Sequence, residues 1–281
     1  MPELPEVETV RRQLTKYVLN KKIAAVDVRK EKSWRGDVSS VVDQQIIDIQ
    51  RSSKILRFVL SNQLSILAHL KMSGQLIYVD GDKRIGGGHP SPDWIRELPS
   101  SHTRVFFTFH DNTHLYFNDQ RIFGWLRLMN NAGVEEEFAK LAPDITDPKI
   151  TAEYLREKYR NRSIPIKVLL MDNSIAAGVG NIYACDALNL ARISPLRQAK
   201  SISLEEAQKL LESARAVITL GIQMGGATVH EYMNVEGLAG HYQEVVRVYG
   251  RKDQPCPNCG APIQKIKIAG RGTYYCPNCQ I

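Results

Sequence analysis

No run of 18 apolar residues occurs anywhere in this 281-residue chain, so a membrane-spanning helix is not expected. The first eight residues already carry acids and lead into no apolar segment, which does not match a secretion signal. A cytoplasmic protein is the expectation. Cysteine is scarce and odd in number, five in all. Without an export signal that count argues against a disulfide framework. Acidic residues are outnumbered, 30 against 37 Lys and Arg, for a net charge of +7. A balance this modest fits an ordinary solvated surface as well as a polyanion partner. Its distribution says more. From Tyr242 onward Arg247, Arg251, Lys252, Lys265, Lys267 and Arg271 face only Glu244 and Asp253, as in a tail that binds phosphates.

What is present begins with an ordinary globular composition, 43% apolar and 24% charged, long enough for two cores. Residues Pro5–Val18 have a helical pattern. Pro5 suits the first turn, Glu6 and Glu8 complement the positive end of the dipole, and Val7, Val10, Leu14 and Tyr17 make one stripe. Short β-branched and aromatic runs follow at Ile23–Val28, Ile46–Ile49, Ile55–Leu60, Leu64–Leu70, Gln75–Val79, Thr103–Phe109, Thr113–Phe117 and Gly124–Met129. Such a series predicts a β-sandwich or barrel. Asp80–Pro99, with Gly86-Gly87-Gly88 and several prolines, reads as a mobile surface loop without chemistry. From Val134 the period turns helical, over Glu135–Leu141, Thr151–Tyr159, Ile166–Asp172, Asn181–Leu190 and Leu204–Met224. The expected fold class is therefore α+β and multidomain.

Four of the five cysteines form Cys256-Pro257-Asn258-Cys259 and Cys276-Pro277-Asn278-Cys279, 16 residues apart. That spacing predicts a four-thiolate zinc finger, with one structural ion because no coordination position is left for water or substrate. So small a unit has little core, and metal binding should supply much of its stability. Arg271 falls on a Gly-flanked turn between the pairs, placed to reach a phosphate. Cys185, the remaining thiol, lies in an apolar helical stretch and should be buried and inert.

Two further segments invite chemistry. Gly178-Val179-Gly180-Asn181 precedes a helix, where exposed amides and the Asn181 side chain can receive a phosphate or simply cap the helix. Lys167, one helix earlier, could join the same run. The amino terminus, Met1-Pro2-Glu3-Leu4-Pro5-Glu6, would present a free Pro2 nitrogen after removal of Met1. An α-amine titrates about 2.5 units below a lysine, so far more of it is neutral at pH 7. Attack by a secondary amine on a sugar C1′ or an aldehyde gives a charged iminium directly, an electron sink for β-elimination. Glu3 beside it could serve as general acid.

The motifs Met1–Val10, His69-Leu70-Lys71-Met72-Ser73-Gly74, Asp119-Gln120-Arg121-Ile122-Phe123-Gly124, Leu170–Asn173, Gly178–Tyr183, Val248–Arg251 and Gly270–Cys276 together resemble the formamidopyrimidine-DNA glycosylase (Fpg, MutM) family. The resemblance runs in order over essentially the whole chain. It implies a bifunctional glycosylase and abasic-site lyase of base excision repair, acting on 8-oxoguanine and formamidopyrimidines in double-stranded DNA and cutting the strand by β,δ-elimination. It implies an N-terminal β-sandwich domain over residues 1–132, a helix–two-turn–helix domain over 133–242 and a zinc finger over 243–281. Within it, Pro2 would be the nucleophile, Glu3 the proton donor, Lys54 the lysine near the sugar and Arg271 the finger's phosphate grip. His69, Lys167 and Asn181 would be further phosphate contacts. Met72, Arg121 and Phe123 would fill the gap left by the extruded base, and Gly225–Tyr242 would be the loop over the lesion. A monomer bound to nucleoid DNA is expected.

The chain departs from the usual pattern at Ser52-Ser53, Lys71, Ile122, Asp186 and Ala227. The sister endonuclease VIII (Nei) type, which favours oxidised pyrimidines, usually has Gly where Leu4 stands and lacks the Met72, Arg121 and Phe123 trio. A damaged-DNA-binding protein without catalysis would not need Pro2, Glu3 and Lys54.

Overall fold

The computed structural model describes residues 2–89, 91, 93, 96–227 and 240–281. The chain divides into two compact units, Met1–Ala139 with Met224–Gln243, and Lys140–Gln223 with Glu244–Ile281. The zinc-finger segment is packed into the helical unit, and the two ends of the expected lesion loop are packed into the β unit.

The first unit opens on helix α1, Leu4–Val18, with Pro in its first turn and Glu6 near its positive end. Behind it lie strands β1 Ile23–Val28, β2 Trp34–Arg35, β3 Ile46–Ser52, β4 Ile55–Leu60, β5 Leu64–His69, β6 Gly74–Asp80, β7 Lys83–Gly88, β8 Thr103–Phe109, β9 His114–Asp119 and β10 Trp125–Asn130, then helix α2, Asn131–Ala139. They form two five-stranded sheets, in orders β1-β8-β9-β6-β7 and β2-β10-β5-β4-β3. All pairs are antiparallel except β2 with β10. Ile46, Phe58, Ile66 and Leu126 of one sheet and Leu76, Phe107, Leu115 and Phe117 of the other share one buried core, which makes the unit a sandwich. Strand β8 alternates buried and half-buried residues along its length, so its period of two specifies which face turns inward. Helix α1 adds Val7, Val10, Leu14 and Val18 to the same core.

Part of the segment expected as a loop, Asp80–Pro99, is regular structure. Lys83–Gly88 is strand β7, paired with β6. Its glycines are required by close approach: a Cβ on Gly86 would lie 1.9 Å from the Leu76 carbonyl oxygen, and one on Gly87 2.9 Å from Val10 of α1. Gly86 and Gly88 also have φ of +147° and +129°, which side chains disfavour. A glycine run therefore marks an edge strand pressed under a helix, and not a loose segment.

The second unit contains α3 Ala152–Tyr159, α4 Ile166–Leu170, α5 Asn181–Ala191, α6 Leu204–Gln223 and a hairpin of β11 Gln264–Ile268 with β12 Arg271–Tyr275. Thr151 caps α3 by accepting from the Tyr154 N–H at 3.2 Å. Helix α6 buries Ala207, Leu210, Leu211, Ala214, Val217 and Ile218, a stripe of helical period facing the core. Among the described residues no helix is long and apolar enough to cross a membrane.

Candidate functional site

In the first unit Pro2 and Glu3 lie at the start of α1, and Lys54 lies in the turn between β3 and β4. Pro2 and Glu3 are buried. Glu3 is the N-cap of α1, and its N–H donates to Glu6 Oε2 at 2.7 Å. The other oxygen of Glu6 accepts from the Ala227 N–H at 2.8 Å. One carboxylate thus joins the chain start to the root of segment 225–242. That root is closed on itself: the Tyr242 N–H donates to the Gly226 carbonyl at 3.0 Å and the His241 N–H to the Met224 carbonyl at 2.8 Å. The expected lesion loop itself falls largely on residues 228–239, which lie outside the described residues.

Lys54 stands in the turn between β3 and β4 and is buried. Before it, Ser53 takes a left-handed φ of 53°, the conformation that a glycine would adopt freely. The turn is held from α1. Arg51 donates to Glu8 Oε2 at 3.1 Å and to the Ser53 carbonyl at 2.8 Å. Glu8 also receives Arg11 and Arg12, each at 2.8 Å. Although burial opposes its ionisation, the hydrogen bonds from Arg11, Arg12 and Arg51 hold its carboxyl down at about 2. So the departure at Ser52-Ser53 leaves Lys54 in a defined turn, because Arg51 supplies the constraint.

His69 ends β5, opposite Ile55 on one side and Trp125 on the other. Burial, with Lys71, Lys54 and Arg127 nearby, lowers its pKa to about 3. Its Nδ1 accepts from the Lys71 N–H at 3.0 Å. The ring is therefore neutral near pH 7 with its proton on Nε2, a donor without charge. Met72 and Phe123 are among the exposed large apolar side chains, at 39% and 50%, and the Arg121 guanidinium sits 4.9 Å from the Phe123 ring centroid.

In the second unit the four finger sulfurs lie within 4.8 Å of one another, with Cys256–Cys279 at 3.6 Å and Cys259–Cys276 at 3.5 Å. A zinc tetrahedron with Zn–S near 2.3 Å has edges of about 3.8 Å, so the donor set fits the ion. Hydrogen bonds from Asn278 and the Ala261 backbone bring Cys259 down to about 6, while burial and the adjoining sulfurs push Cys279 up to about 12. Thiols this crowded ionise together only with a cation among them. The chain holds one structural zinc.

Arg271 opens β12 opposite Ile268, across a two-residue turn in which Ala269 and Gly270 have φ of 47° and 77°. It is exposed, as the hairpin-tip reading expected. Lys167 is not exposed. Its ammonium, in a side chain only 1% accessible, donates to Asn181 Oδ1 at 2.6 Å and Thr273 Oγ1 at 2.7 Å, while Asn181 Nδ2 donates to the Gly272 carbonyl at 2.9 Å. The lysine thus ties α4, the start of α5 and the finger hairpin together. Cys185 is buried, as expected, beside Val248, Ile263 and Cys276, and burial raises its thiol to about 11, which disfavours the reactive thiolate at neutral pH.

Several organising residues were missed from the sequence. Asp186, noted only as a departure, is fully buried and accepts from the Arg247, Val248 and Tyr249 N–H groups at 3.0, 3.0 and 3.2 Å. It anchors the strand of chain that enters the finger. Asp119, Arg51 and Glu8 act likewise in the first unit. Only their partners in space reveal them.

A β-sandwich with a buried chain start and a helical unit that carries a four-thiolate finger are the architecture that the resemblance to DNA glycosylases implies. The comparisons with known proteins specify which. Residues 1–126 match the formamidopyrimidine-DNA glycosylase N-terminal domain, 141–233 the formamidopyrimidine-DNA glycosylase H2TH domain and 253–281 the zinc finger found in FPG and IleRS. A formamidopyrimidine-DNA glycosylase of Listeria monocytogenes is 39% identical, with all of both chains covered. One from Desulforamulus reducens is 38% identical, over 100% of this chain and 99% of its own. Among solved structures, a Lactococcus lactis Fpg variant in complex with Fapy-dG-containing DNA superposes with a TM-score of 0.89 at 30% identity over 99% of each chain. The Thermus thermophilus MutM (FPG) protein does so at 0.85 and 35%, covering 99% and 98%. The chain belongs to the formamidopyrimidine-DNA glycosylase family.

Proposed function

We propose that this protein excises oxidised purines, 8-oxoguanine and formamidopyrimidines, from double-stranded DNA and then cuts the strand at the resulting abasic site. The observation that carries the reading is the buried Pro2–Glu3 start of α1, whose first turns are tied through Glu8 and Arg51 to the turn of Lys54. Once Met1 is removed, the Pro2 nitrogen attacks C1′ of the damaged nucleotide. The C1′–base bond breaks with its electron pair on the base, and the ring-opened sugar becomes an iminium on Pro2. Glu3 delivers a proton toward the sugar ring oxygen as that bond opens. The iminium then accepts the electrons of C–H cleavage at C2′, expelling the 3′ phosphate, and the 5′ phosphate leaves in the second elimination. Lys54 and Arg271 place positive charge near the sugar and its phosphates. His69 and Asn181 donate further hydrogen bonds to the backbone, Asn181 in a pose set by Lys167. Met72, Arg121 and Phe123 occupy the space of the extruded base, offsetting the few kcal/mol that flipping takes.

Three working parts serve this reaction, at residues 1–132, 133–242 and 243–281, a division that the spans of the family matches support. The protein works as a monomer on chromosomal DNA in the cytoplasm. Borohydride trapping across defined lesions tests the assignment. Covalent adducts are expected on 8-oxoguanine and abasic duplexes. Preferential trapping on oxidised pyrimidines would favour the endonuclease VIII type, and no adduct with correctly processed protein would favour a binding module.

A further inference from the structure

The loops carrying Met72 and the Arg121–Phe123 pair converge on one buried carboxylate that the proposed reaction leaves without a task. Asp119, the last residue of β9, is 0% exposed. Its Oδ1 accepts from the Ser73 hydroxyl and from the Arg121 N–H at 3.1 Å. Its Oδ2 accepts from the Phe123 N–H at 2.8 Å and the Gly124 N–H at 2.6 Å. Ser73 Oγ in turn accepts from the Arg121 N–H at 3.0 Å, and Ser73 directly follows Met72. Between the clamped amides lies Ile122, with φ at 57°. A β-branched residue is disfavoured in that left-handed region and persists there only when its surroundings hold it.

We propose that Asp119 is a positioning residue for base extrusion: its carboxylate holds Ile122 in the left-handed turn and locks the Met72 and Arg121–Phe123 segments into one wedge of fixed shape. This rests on the reading of Met72, Arg121 and Phe123 as the residues that fill the vacated space, and it deepens that reading. An ionised carboxylate offers acceptors to all four donors. The isosteric amide offers one oxygen and turns an NH2 toward two further donors. A wedge must displace stacked bases on contact, so its preorganisation enters the rate of base release directly. An abasic nucleotide has no base to extrude and makes less use of it.

The test is single-turnover base release by wild type, D119N, I122G and D119N/I122G on three substrates: an 8-oxoguanine duplex, the same lesion with the opposite nucleotide omitted, and a preformed abasic duplex scored by borohydride trapping. For D119N, release from the intact duplex should fall about tenfold to a hundredfold, the range for a hydrogen-bonded buried charge. The deficit should shrink on the duplex lacking the opposite nucleotide, and abasic trapping should stay within about threefold, because neither requires the full extrusion barrier to be met. The D119N deficit should also be smaller in the I122G background, since glycine holds the turn unaided. Equal release by D119N and wild type, or an equal deficit on all three substrates, would overturn the proposal. Should D119N not fold, S73A removes one of the four donors and must show the same substrate pattern at smaller size; a flat pattern counts against Asp119 equally. Wild type that releases no base from any substrate would instead refute the functional reading itself.

Discussion

Two turns present the cations on which the proposed function depends, and they are held by opposite means. The β3–β4 turn with Lys54 is fixed by organic chemistry alone: Arg51 spans from Glu8 of α1 to the Ser53 carbonyl, above a core shared by two sheets. The β11–β12 turn with Arg271 has a smaller core beneath it, in which, among the described residues, Cys185, Val248, Cys256, Ile263 and Cys276 are buried together. There a metal and a buried carboxylate, Asp186 on three backbone amides, take the place of apolar area. A large sandwich can hold a strained turn with one ion pair; a short finger needs an ion. The same contrast extends to the lysines. Both are buried, but Lys54 stands in a turn, whereas Lys167 is bonded to Asn181 and Thr273 and so joins α4, α5 and the hairpin.

Breaking the metal side should have the largest effect. Cys276→Ser is expected to lose zinc and at least a hundredfold in DNA affinity, since structural zinc contributes on the order of 10 kcal/mol to folding such a unit. Zinc content and equilibrium binding check it, and full affinity without zinc would show that the finger plays no part in the grip. Next comes the chemistry. Pro2→Gly should bind damaged duplex normally while strand cleavage drops at least about a hundredfold, measured by gel assay beside a binding isotherm.

The ion pair around Glu8 allows a pH test of the first unit. With its folded pKa lowered to about 2 from an ordinary 4.5, Glu8 stabilises the fold fully above about pH 4.5. That contribution disappears as pH falls toward 2, because the unfolded chain takes up the proton first. Glu8→Gln should therefore lower stability at pH 7 by about 2–3 kcal/mol and flatten its loss between those values. Denaturant melts over that pH range report it, and an unchanged slope would remove Glu8 from the account.

The smallest effect concerns the two phosphate donors. Arg271→Ala should lower the salt dependence of DNA binding by about one unit of slope. His69→Gln should weaken binding only about threefold to tenfold, with the slope unchanged, because the neutral ring releases no counterion. A change in slope for His69→Gln would mean that the ring is charged.

Much of this was legible in the residues. A short β-branched and aromatic run marked Thr103–Phe109 as a strand, the Val7, Val10, Leu14 stripe marked α1, and the cysteine spacing marked the metal. What escaped depends on partners distant in sequence. Strand β7 has glycines where a strand pattern needs side chains, and the Leu76 carbonyl against Gly86 and Val10 against Gly87 explain them. The tasks of Asp119 and Asp186, and that of Glu8 beyond the helix dipole, show only once their donors are in view. Ser53, Lys71 and Ile122, with φ of 53°, 51° and 57°, adopt glycine-like backbone without being glycine, and all three stand next to expected site residues. Local propensity cannot foretell strain that tertiary hydrogen bonds impose. The burial of Lys167 escaped for a related reason, since a lysine before a glycine-rich turn looks like a surface cation until Thr273 is placed against it.

The most direct measurement is peptide mapping of the protein after borohydride trapping on an abasic duplex. The sugar remnant should be found on the N-terminal peptide, attached to the nitrogen of Pro2 with Met1 absent. A remnant on Lys54 or any other internal lysine, or full activity in protein that retains Met1, would contradict the account.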